Sequence, residues 1–270
     1  MNGTRDYQLP EDVEEFLEIY KELLLEVLPS ERIKGIYVYG SLALGAFDPN
    51  SSDLDFVTVI NGRIGKKTED LLNLVHLRCN AHQFGPRLDG CYITPGQVGM
   101  VYPDLEEYPF FTEGKMHRGF HDLNDLTWWM LKTKGITVYG EPFSVLPLEV
   151  RWTDAEKTMN EYLNTYWNEK VERDMCFFYD DWIEFGVVML CRILLSFTYK
   201  NIFSKKEAIA KAKPLVPSLF HPILLEGLRI KTNPESESYY HSKAVRKEDM
   251  KRFVKYIITY CKETFQLQKV

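Results

Sequence analysis

Hydrophobic residues in the first part of the chain recur first at helical and then at strand spacing. Residues 10–27 predict an amphipathic helix, because an acidic first turn precedes a run with one apolar face. That face consists of Phe16, Ile19, Leu23 and Val27. The short apolar runs at 33–39, 54–60 and 88–94 have the length typical of strands. The beginning of the chain is therefore expected to combine helices with a small sheet.

Helices and irregular segments are expected around these strands. Thr68 is a suitable N-cap for a helix after the second strand. Its buried face is expected to contain Leu71, Leu74, Val75 and Leu77. Residues 95–121 are rich in Pro, Gly, Tyr and Phe, and they are expected to be irregular, as segments that contact substrates often are. A helix at 122–134 and a short strand at 138–142 follow.

The second half of the chain has helical spacing throughout. Thr153 with Glu156, and Ser204 with Glu207, have the spacing of capping boxes. Helices are expected at 153–168, 181–200, 204–214, 218–230 and 246–265. The predicted fold class is therefore α+β, with a small mixed sheet and its helices followed by an all-α bundle. The expected domains are residues 1–150 and 151–270.

Composition and charge narrow the classes of function. The formal net charge of −6 argues against a protein that coats nucleic acid, and it is compatible with a cationic substrate. Five scattered cysteines without a C-x-x-C pair indicate a reducing, cytoplasmic environment. The polar first residues lack the pattern of a signal peptide, and the apolar run at 185–197 is interrupted and short for a membrane span. No membrane or nucleic-acid partner is expected.

Candidate chemistry lies between the first two strands. Asp53 and Asp55 project to the same side of the second strand, because strand side chains alternate with period two. Two adjacent carboxylates repel each other unless a cation lies between them, and Mg²⁺ prefers such oxygen ligands together with substrate phosphates. Gly40 permits close backbone approach to a ligand, and Ser41 offers a hydroxyl and an N–H group at a helix start.

The pattern G-S-x₁₁-D-x-D formed by Gly40, Ser41, Asp53 and Asp55 resembles the signature of the polymerase-beta-like nucleotidyltransferases. The alternative interpretation is two solvated aspartates after an Asn-Ser-Ser turn. In the resembling enzymes a third acidic residue on the next strand binds metal or accepts the proton of the attacking hydroxyl. Asp89 matches that position here, and its alternative is a surface aspartate before Gly90.

Residues 191–212 resemble the helix-turn-helix of the aminoglycoside adenylyltransferases that modify streptomycin and spectinomycin. The resemblance implies that Arg192 and Lys205 contact ATP phosphates, so that residues of both domains bind the nucleotide. Alternatively, Arg192 pairs with a carboxylate and Lys205 is a surface lysine. Three further positions are assigned to the nucleotide, namely Ser52, Asp125 and Tyr256, although Tyr256 also fits an ordinary core position.

The acceptor side of the resemblance is less complete. The tryptophan that those enzymes have soon after the third strand is absent from residues 110–118, and the loop before Asp53 is one residue longer. Asp180, Asp181 and Glu184 are candidates for binding the ammonium groups of an aminocyclitol, or they form a solvated helix start.

The resemblance implies transfer of AMP from ATP to a hydroxyl of an aminoglycoside-like antibiotic, with release of pyrophosphate. Two Mg²⁺ ions held by Asp53, Asp55 and Asp89 are expected, with ATP as co-substrate and a small cationic acceptor. The alternatives are another acceptor (a lincosamide, a metabolite or a protein) and a non-catalytic, antitoxin-like binding protein. The expected state is a monomer or a weak homodimer.

Overall fold

A computed structural model describes residues 9–267 of the chain. The chain divides between Arg151 and Trp152 into two compact units, one residue after the boundary expected from the sequence. Residues 1–8, which contribute to the expectation that there is no signal peptide, lie outside the described part.

The first unit is organised around one six-stranded sheet with the order β5-β4-β3-β2-β1-β6. The strands are β1 (Ile33–Val38), β2 (Leu54–Ile60), β3 (Leu88–Ile93), β4 (Tyr108–Thr112), β5 (Lys115–Gly119) and β6 (Ile136–Gly140). β2 and β3 are parallel, and the other neighbouring pairs are antiparallel. The sheet is therefore mixed, as the sequence predicts.

Helices cover the sheet and define the side on which the candidate residues lie. They are α1 (Glu11–Val27), the short α2 (Gly40–Ala43), α3 (Lys66–Cys79) and α4 (Asp125–Lys134). Tyr92 of β3 points toward α1 and α3, because its hydroxyl is hydrogen-bonded to Tyr20 (2.9 Å) and to His76 Nε2 (2.7 Å). Since strand side chains alternate, Asp89 and its neighbour Asp55 project from the opposite face.

Three expectations for this unit are wrong in detail. α3 begins before Thr68, which is itself buried in the first turn. Leu74 and Leu77 are exposed, and the buried face of α3 consists of Thr68, Leu72, Val75, His76 and Cys79.

Residues 95–121 are not irregular throughout, because β4 and β5 form a hairpin within them. Its turn places Glu113 and Gly114 at φ values of 49° and 75°, which favours glycine in the second position.

The second unit is helical in the described residues. Its helices are α5 (Trp152–Tyr162), α6 (Asn168–Glu172), α7 (Asp180–Tyr199), α8 (Lys205–Ala212), α9 (His221–Thr232) and α10 (Lys243–Thr264). A π-helical segment, Leu163–Trp167, continues α5 into α6, so the expected end near residue 168 is passed without a break. α7 contacts α8, α9 and α10 and forms the centre of the unit.

α7 has the length and hydropathy of a membrane span, and 61% of its most apolar window is buried within the unit. This burial is typical of the core helix of a globular domain.

A buried ion network joins α7, α9 and α10. Glu226 is 0% exposed and accepts hydrogen bonds from Arg229 Nη2 (3.0 Å) and Arg246 Nη1 (3.1 Å). Ser238 Oγ and the backbone N–H of Tyr239 complete its shell at 2.8 and 3.0 Å. Burial opposes ionisation, but these hydrogen bonds outweigh it and lower the pKa of Glu226 to about 2.

Neither of the two capping boxes predicted in this unit forms as expected. Thr153 lies inside α5, which begins at Trp152, and Glu156 Oε1 accepts a hydrogen bond from Trp152 Nε1 (2.8 Å). Ser204 is the N-cap of α8, but its side chain makes no capping hydrogen bond.

Candidate active site

The turn after β1 lies directly against the carboxylate of Asp55. The backbone N–H of Tyr39 donates to Asp55 O at 3.0 Å, and Gly40 follows with a φ of +63°. A Cβ atom on Gly40 would lie 1.6 Å from Asp55 Oδ2. Glycine is required here for two reasons, since the backbone is left-handed and the space of a side chain is occupied by the carboxylate.

Ser41 provides a buried polar atom without a protein partner. Its Oγ is shielded from solvent and makes no hydrogen bond among the residues that the structure describes. A buried hydroxyl without a partner costs about 1–3 kcal/mol, so such an atom is typical of a site that a ligand completes. Ser41 directly follows Gly40, whose backbone lies against the carboxylate of Asp55.

Asp53 and Ser52 close the loop that follows α2. Asp53 is exposed immediately before β2. Ser52 Oγ accepts a hydrogen bond from the backbone N–H of Asp48 (2.9 Å), and the Ser52 N–H donates to Asp48 O (2.9 Å). The hydroxyl of Ser52 therefore fixes the loop that presents Asp53.

Asp89 is the direct neighbour of Asp55 in the parallel pair of β2 and β3. Its Oδ2 accepts a hydrogen bond from Thr112 Oγ1 (2.9 Å), and its Oδ1 accepts one from His121 Nε2 (2.5 Å). Within residues 9–267, no group of three or more His, Cys, Asp or Glu side chains lies close enough together to hold a metal ion. The three expected carboxylates thus do not form a preassembled metal-binding group in this part of the chain, and each oxygen of Asp89 accepts a hydrogen bond from a protein donor. A role of Asp89 as metal ligand or base stays a prediction.

His121 is a residue of this site that the sequence did not indicate. Its ring stacks on Phe110, with centroids 4.7 Å apart and an angle of 7° between the planes. The hydrogen bond to Asp89 raises the pKa of His121, as do the negative charges of Asp122 and Asp55, while burial opposes the shift. Only the sheet pairing brings His121 to Asp89, so no local pattern could reveal the contact.

Asp125 lies at the first position of α4. The preceding residue, Asn124, caps this helix by accepting hydrogen bonds from the backbone N–H groups of Leu126 (3.0 Å) and Thr127 (3.2 Å). An acidic residue in the first turn also stabilises the helix through its dipole. This contribution to stability is compatible with the expected contact to a nucleotide.

In the second unit, Arg192 and Lys205 lie on successive helices. Arg192 Nε donates to Phe203 O at 2.8 Å, which connects α7 to the segment that enters α8. Lys205 is exposed at the first position of α8, and Ser204 Oγ beside it is buried without a hydrogen-bond partner among the described residues. Tyr256 of α10 is half-buried, with its ring centroid 4.9 Å from that of Phe220.

The candidates for acceptor binding differ in their surroundings. Asp180 Oδ1 lies 2.7 Å from Arg246 Nη2, and Glu184 Oε1 lies 2.9 Å from Lys231 Nζ. Asp181 is exposed at the start of α7. The charges of Asp180 and Glu184 are thus compensated within the chain, which weakens their attraction for the ammonium groups of a ligand.

Comparison with known proteins agrees with this arrangement. Residues 13–87, which include β1, α2 and β2, match the family model of the nucleotidyltransferase domain. The sequence has no match among the curated proteins. The structure is similar to that of the spectinomycin adenyltransferase AAD(9) from Enterococcus faecialis, determined with ATP and spectinomycin. The TM-score is 0.64 at 17% identity, over 89% of this chain and 98% of that one.

These comparisons confirm the expected α+β fold, in which a nucleotidyltransferase domain precedes a helical region. The fold is thus the one expected from the resemblance, and residues 13–87 have the sequence features of a nucleotidyltransferase domain.

Proposed function

We propose that this chain transfers AMP from ATP to a hydroxyl group of an aminocyclitol or aminoglycoside antibiotic and releases pyrophosphate. The observation that carries the proposal is the close approach of the Gly40–Ser41 turn to Asp55, within a domain that matches the nucleotidyltransferase model. The fold shared with a spectinomycin adenyltransferase supports the choice of acceptor class.

Ser41 is the first proposed contact of the triphosphate. Its unpartnered hydroxyl can donate to a phosphate oxygen, and the backbone at Gly40 can approach the phosphate because no Cβ intervenes. A phosphate group there would satisfy the buried oxygen that the protein leaves without a hydrogen bond.

Asp53 and Asp55 are the proposed ligands of Mg²⁺. The donor set fits this ion, since carboxylate oxygens are hard ligands and Mg²⁺ ordinarily binds one or two carboxylates together with substrate phosphates. When bound, Mg²⁺ would neutralise charge on the triphosphate and favour in-line displacement. The backbone of Asp55 is fixed by pairing within the sheet, so its carboxylate is positioned before any ligand binds.

Further contacts to the nucleotide are proposed for residues of each unit, and each requires its own test. In the second unit, Arg192 and Lys205 are proposed to bind phosphate groups and Tyr256 to assist nucleotide binding. In the first unit, Ser52 and Asp125 are proposed to assist nucleotide binding. Asp181 remains the best acceptor candidate of its group, because the structure pairs Asp180 and Glu184 with cations.

The proposal is tested by incubating the chain with ATP, Mg²⁺ and one acceptor at a time. Spectinomycin, streptomycin, kanamycin and a lincosamide form a suitable panel, and pyrophosphate release with mass spectrometry of the acceptor reports transfer. We expect an adenylylated aminocyclitol. A chain that releases no pyrophosphate with any acceptor would contradict the proposed function and favour a binding role.

Asp53→Asn and Asp55→Asn should each reduce turnover by more than about a hundredfold, because each removes a charge that holds the metal and triphosphate. Asp104→Asn is the matched control, since Asp104 is an exposed carboxylate of the same unit. Full transfer activity in D53N or D55N would reject the metal role while leaving the acceptor assignment open.

A further inference from the structure

The environment of Asp89 is built by one face of a strand that the sequence did not predict. Tyr108, Phe110 and Thr112 occupy alternate positions of β4, so their side chains share a face of the sheet. Thr112 binds Asp89 directly, with its Oγ1 2.9 Å from Asp89 Oδ2. The other two residues of this face hold His121, which binds the second oxygen of the same carboxylate.

His121 is fixed at both its backbone and its ring. The Tyr108 hydroxyl lies 2.7 Å from both the backbone N and the backbone O of His121, accepting from the first and donating to the second. The ring stacks on Phe110 at 4.7 Å. Asp122 follows with a φ of +52°, so the chain turns away immediately after the ring has been positioned. These contacts leave the imidazole little freedom to leave Asp89.

We propose that His121 is a positioning residue for the proposed adenylyl transfer, and that with Thr112 it orients Asp89 as the proton acceptor of the attacking hydroxyl. The inference rests on the proposed function. A carboxylate has about four lone-pair sites, and the two hydrogen bonds use one on each oxygen. Two sites therefore remain open to a proton from the acceptor.

The transfer that Asp89 would assist needs no reactant besides ATP and the acceptor hydroxyl. The acceptor oxygen forms a bond to the α-phosphorus of ATP, while the bond from that phosphorus to the bridging oxygen breaks. The electron pair of the broken bond leaves with pyrophosphate, and the hydroxyl proton passes to Asp89. His121 and Thr112 take no proton in this step, and their contribution is the orientation of the carboxylate.

Two substitutions separate the hydrogen bond of His121 from its stacking. H121F keeps an aromatic ring for Phe110 and removes the donor to Asp89, whereas H121Q keeps an N–H donor and loses the aromatic ring. We expect H121F to lower kcat about ten- to a hundredfold, by analogy with the loss when a hydrogen-bonding residue that orients a metal ligand is removed. KM for ATP should stay at the wild-type value, and H121Q should recover most of kcat.

H117F is the matched control. His117 stacks on Phe110 as well, at 5.2 Å, but it lies on β5, and the two hydrogen bonds that the oxygens of Asp89 accept come from Thr112 and His121. H117F should therefore behave like the wild type. T112V provides a second probe if H121F folds poorly, because it removes the other hydrogen bond to Asp89 at nearly constant volume; it should lower kcat without raising KM for ATP.

Each outcome decides between the possibilities. Wild-type kcat in both H121F and T112V would overturn the inference while leaving the proposed function intact, as would equal losses in H121F and H121Q. A rise in KM for ATP with unchanged kcat would assign His121 to nucleotide binding and also overturn it. Absence of transfer by the wild type would instead refute the proposed function, and the inference with it.

Discussion

Gly40→Ala is the substitution that most directly tests whether the turn after β1 and Asp55 form one site. The new methyl group would lie 1.6 Å from Asp55 Oδ2, whereas an ordinary contact is about 3.5 Å. The carboxylate must therefore move by about 2 Å, or the turn must shift by a similar distance. Either movement separates the proposed phosphate contact from the proposed metal ligand.

The expected effect of G40A has two independent parts, one on the free energy of unfolding and one on the reaction rate. Alanine at a left-handed position costs about 1–2 kcal/mol, which lowers the free energy of unfolding. Misplacement of a reacting group by about 1 Å can reduce a rate about a hundredfold, which corresponds to about 3 kcal/mol in the activation barrier. G40A should thus lose at least about a hundredfold in kcat/KM while losing only a small part of its stability.

Gly62→Ala measures the stability cost of alanine at a left-handed position by itself. Gly62 has a φ of +77°, and a Cβ atom there would meet nothing within 4 Å. Both variants should unfold at slightly lower urea concentration than the wild type, followed by circular dichroism, but only G40A should lose pyrophosphate release. The reasoning would be refuted if G40A retained wild-type activity, or if G62A lost as much activity as G40A.

Two further predictions concern buried polar groups. Ser41→Ala should leave the free energy of unfolding unchanged or raise it by up to about 1 kcal/mol, because it removes a buried hydroxyl that has no partner among the described residues. The same substitution should raise KM for ATP. A urea titration measures the first effect, and steady-state kinetics measure the second. Glu226→Gln should cost roughly 3 kcal/mol at pH 7, since it puts a neutral amide in place of the buried carboxylate between Arg229 and Arg246, while Asp180 still pairs with both arginines. The folded pKa of Glu226, about 2, lies below its ordinary value of 4.5, so its contribution is complete above pH 4.5 and is lost as pH falls toward 2. Urea unfolding between pH 7 and 3 should show a smaller loss for E226Q than for the wild type, with the exposed Glu237→Gln as control.

The strands around the signature were predictable because they obey simple rules. β2 has the bounds expected for it, Leu54–Ile60, and β1 and β3 each end one residue earlier than expected. Short apolar runs between polar segments leave few alternatives to a strand. The sequence does not specify which strands pair, and the structure shows that β2 and β3 lie parallel and bring Asp89 beside Asp55.

The buried face of α3 was wrong because hydrophobicity was given too much weight. Leu74 and Leu77 are exposed, while His76 is fully buried and stacks on Phe111 at 3.6 Å. Burial lowers the pKa of His76 to about 3, so the ring is neutral at physiological pH and behaves as an aromatic core residue with one hydrogen bond to Tyr92. A sequence does not reveal that a histidine will find such a partner.

The failure at β4 has a different cause, and it explains why His121 was not found. A strand on a half-buried sheet ordinarily alternates apolar and polar residues, but Phe110 faces His121 while Phe111 faces His76 in the core. Aromatic residues are needed on both faces, so the alternation disappears, and Pro109 further weakens the strand pattern. The residues that position the proposed proton acceptor thus remove the pattern by which their strand would be recognised. When the supporting residues of a site are aromatic on both faces of a strand, they can be identified only in the folded structure, even where the carboxylates of the site form a recognisable sequence motif.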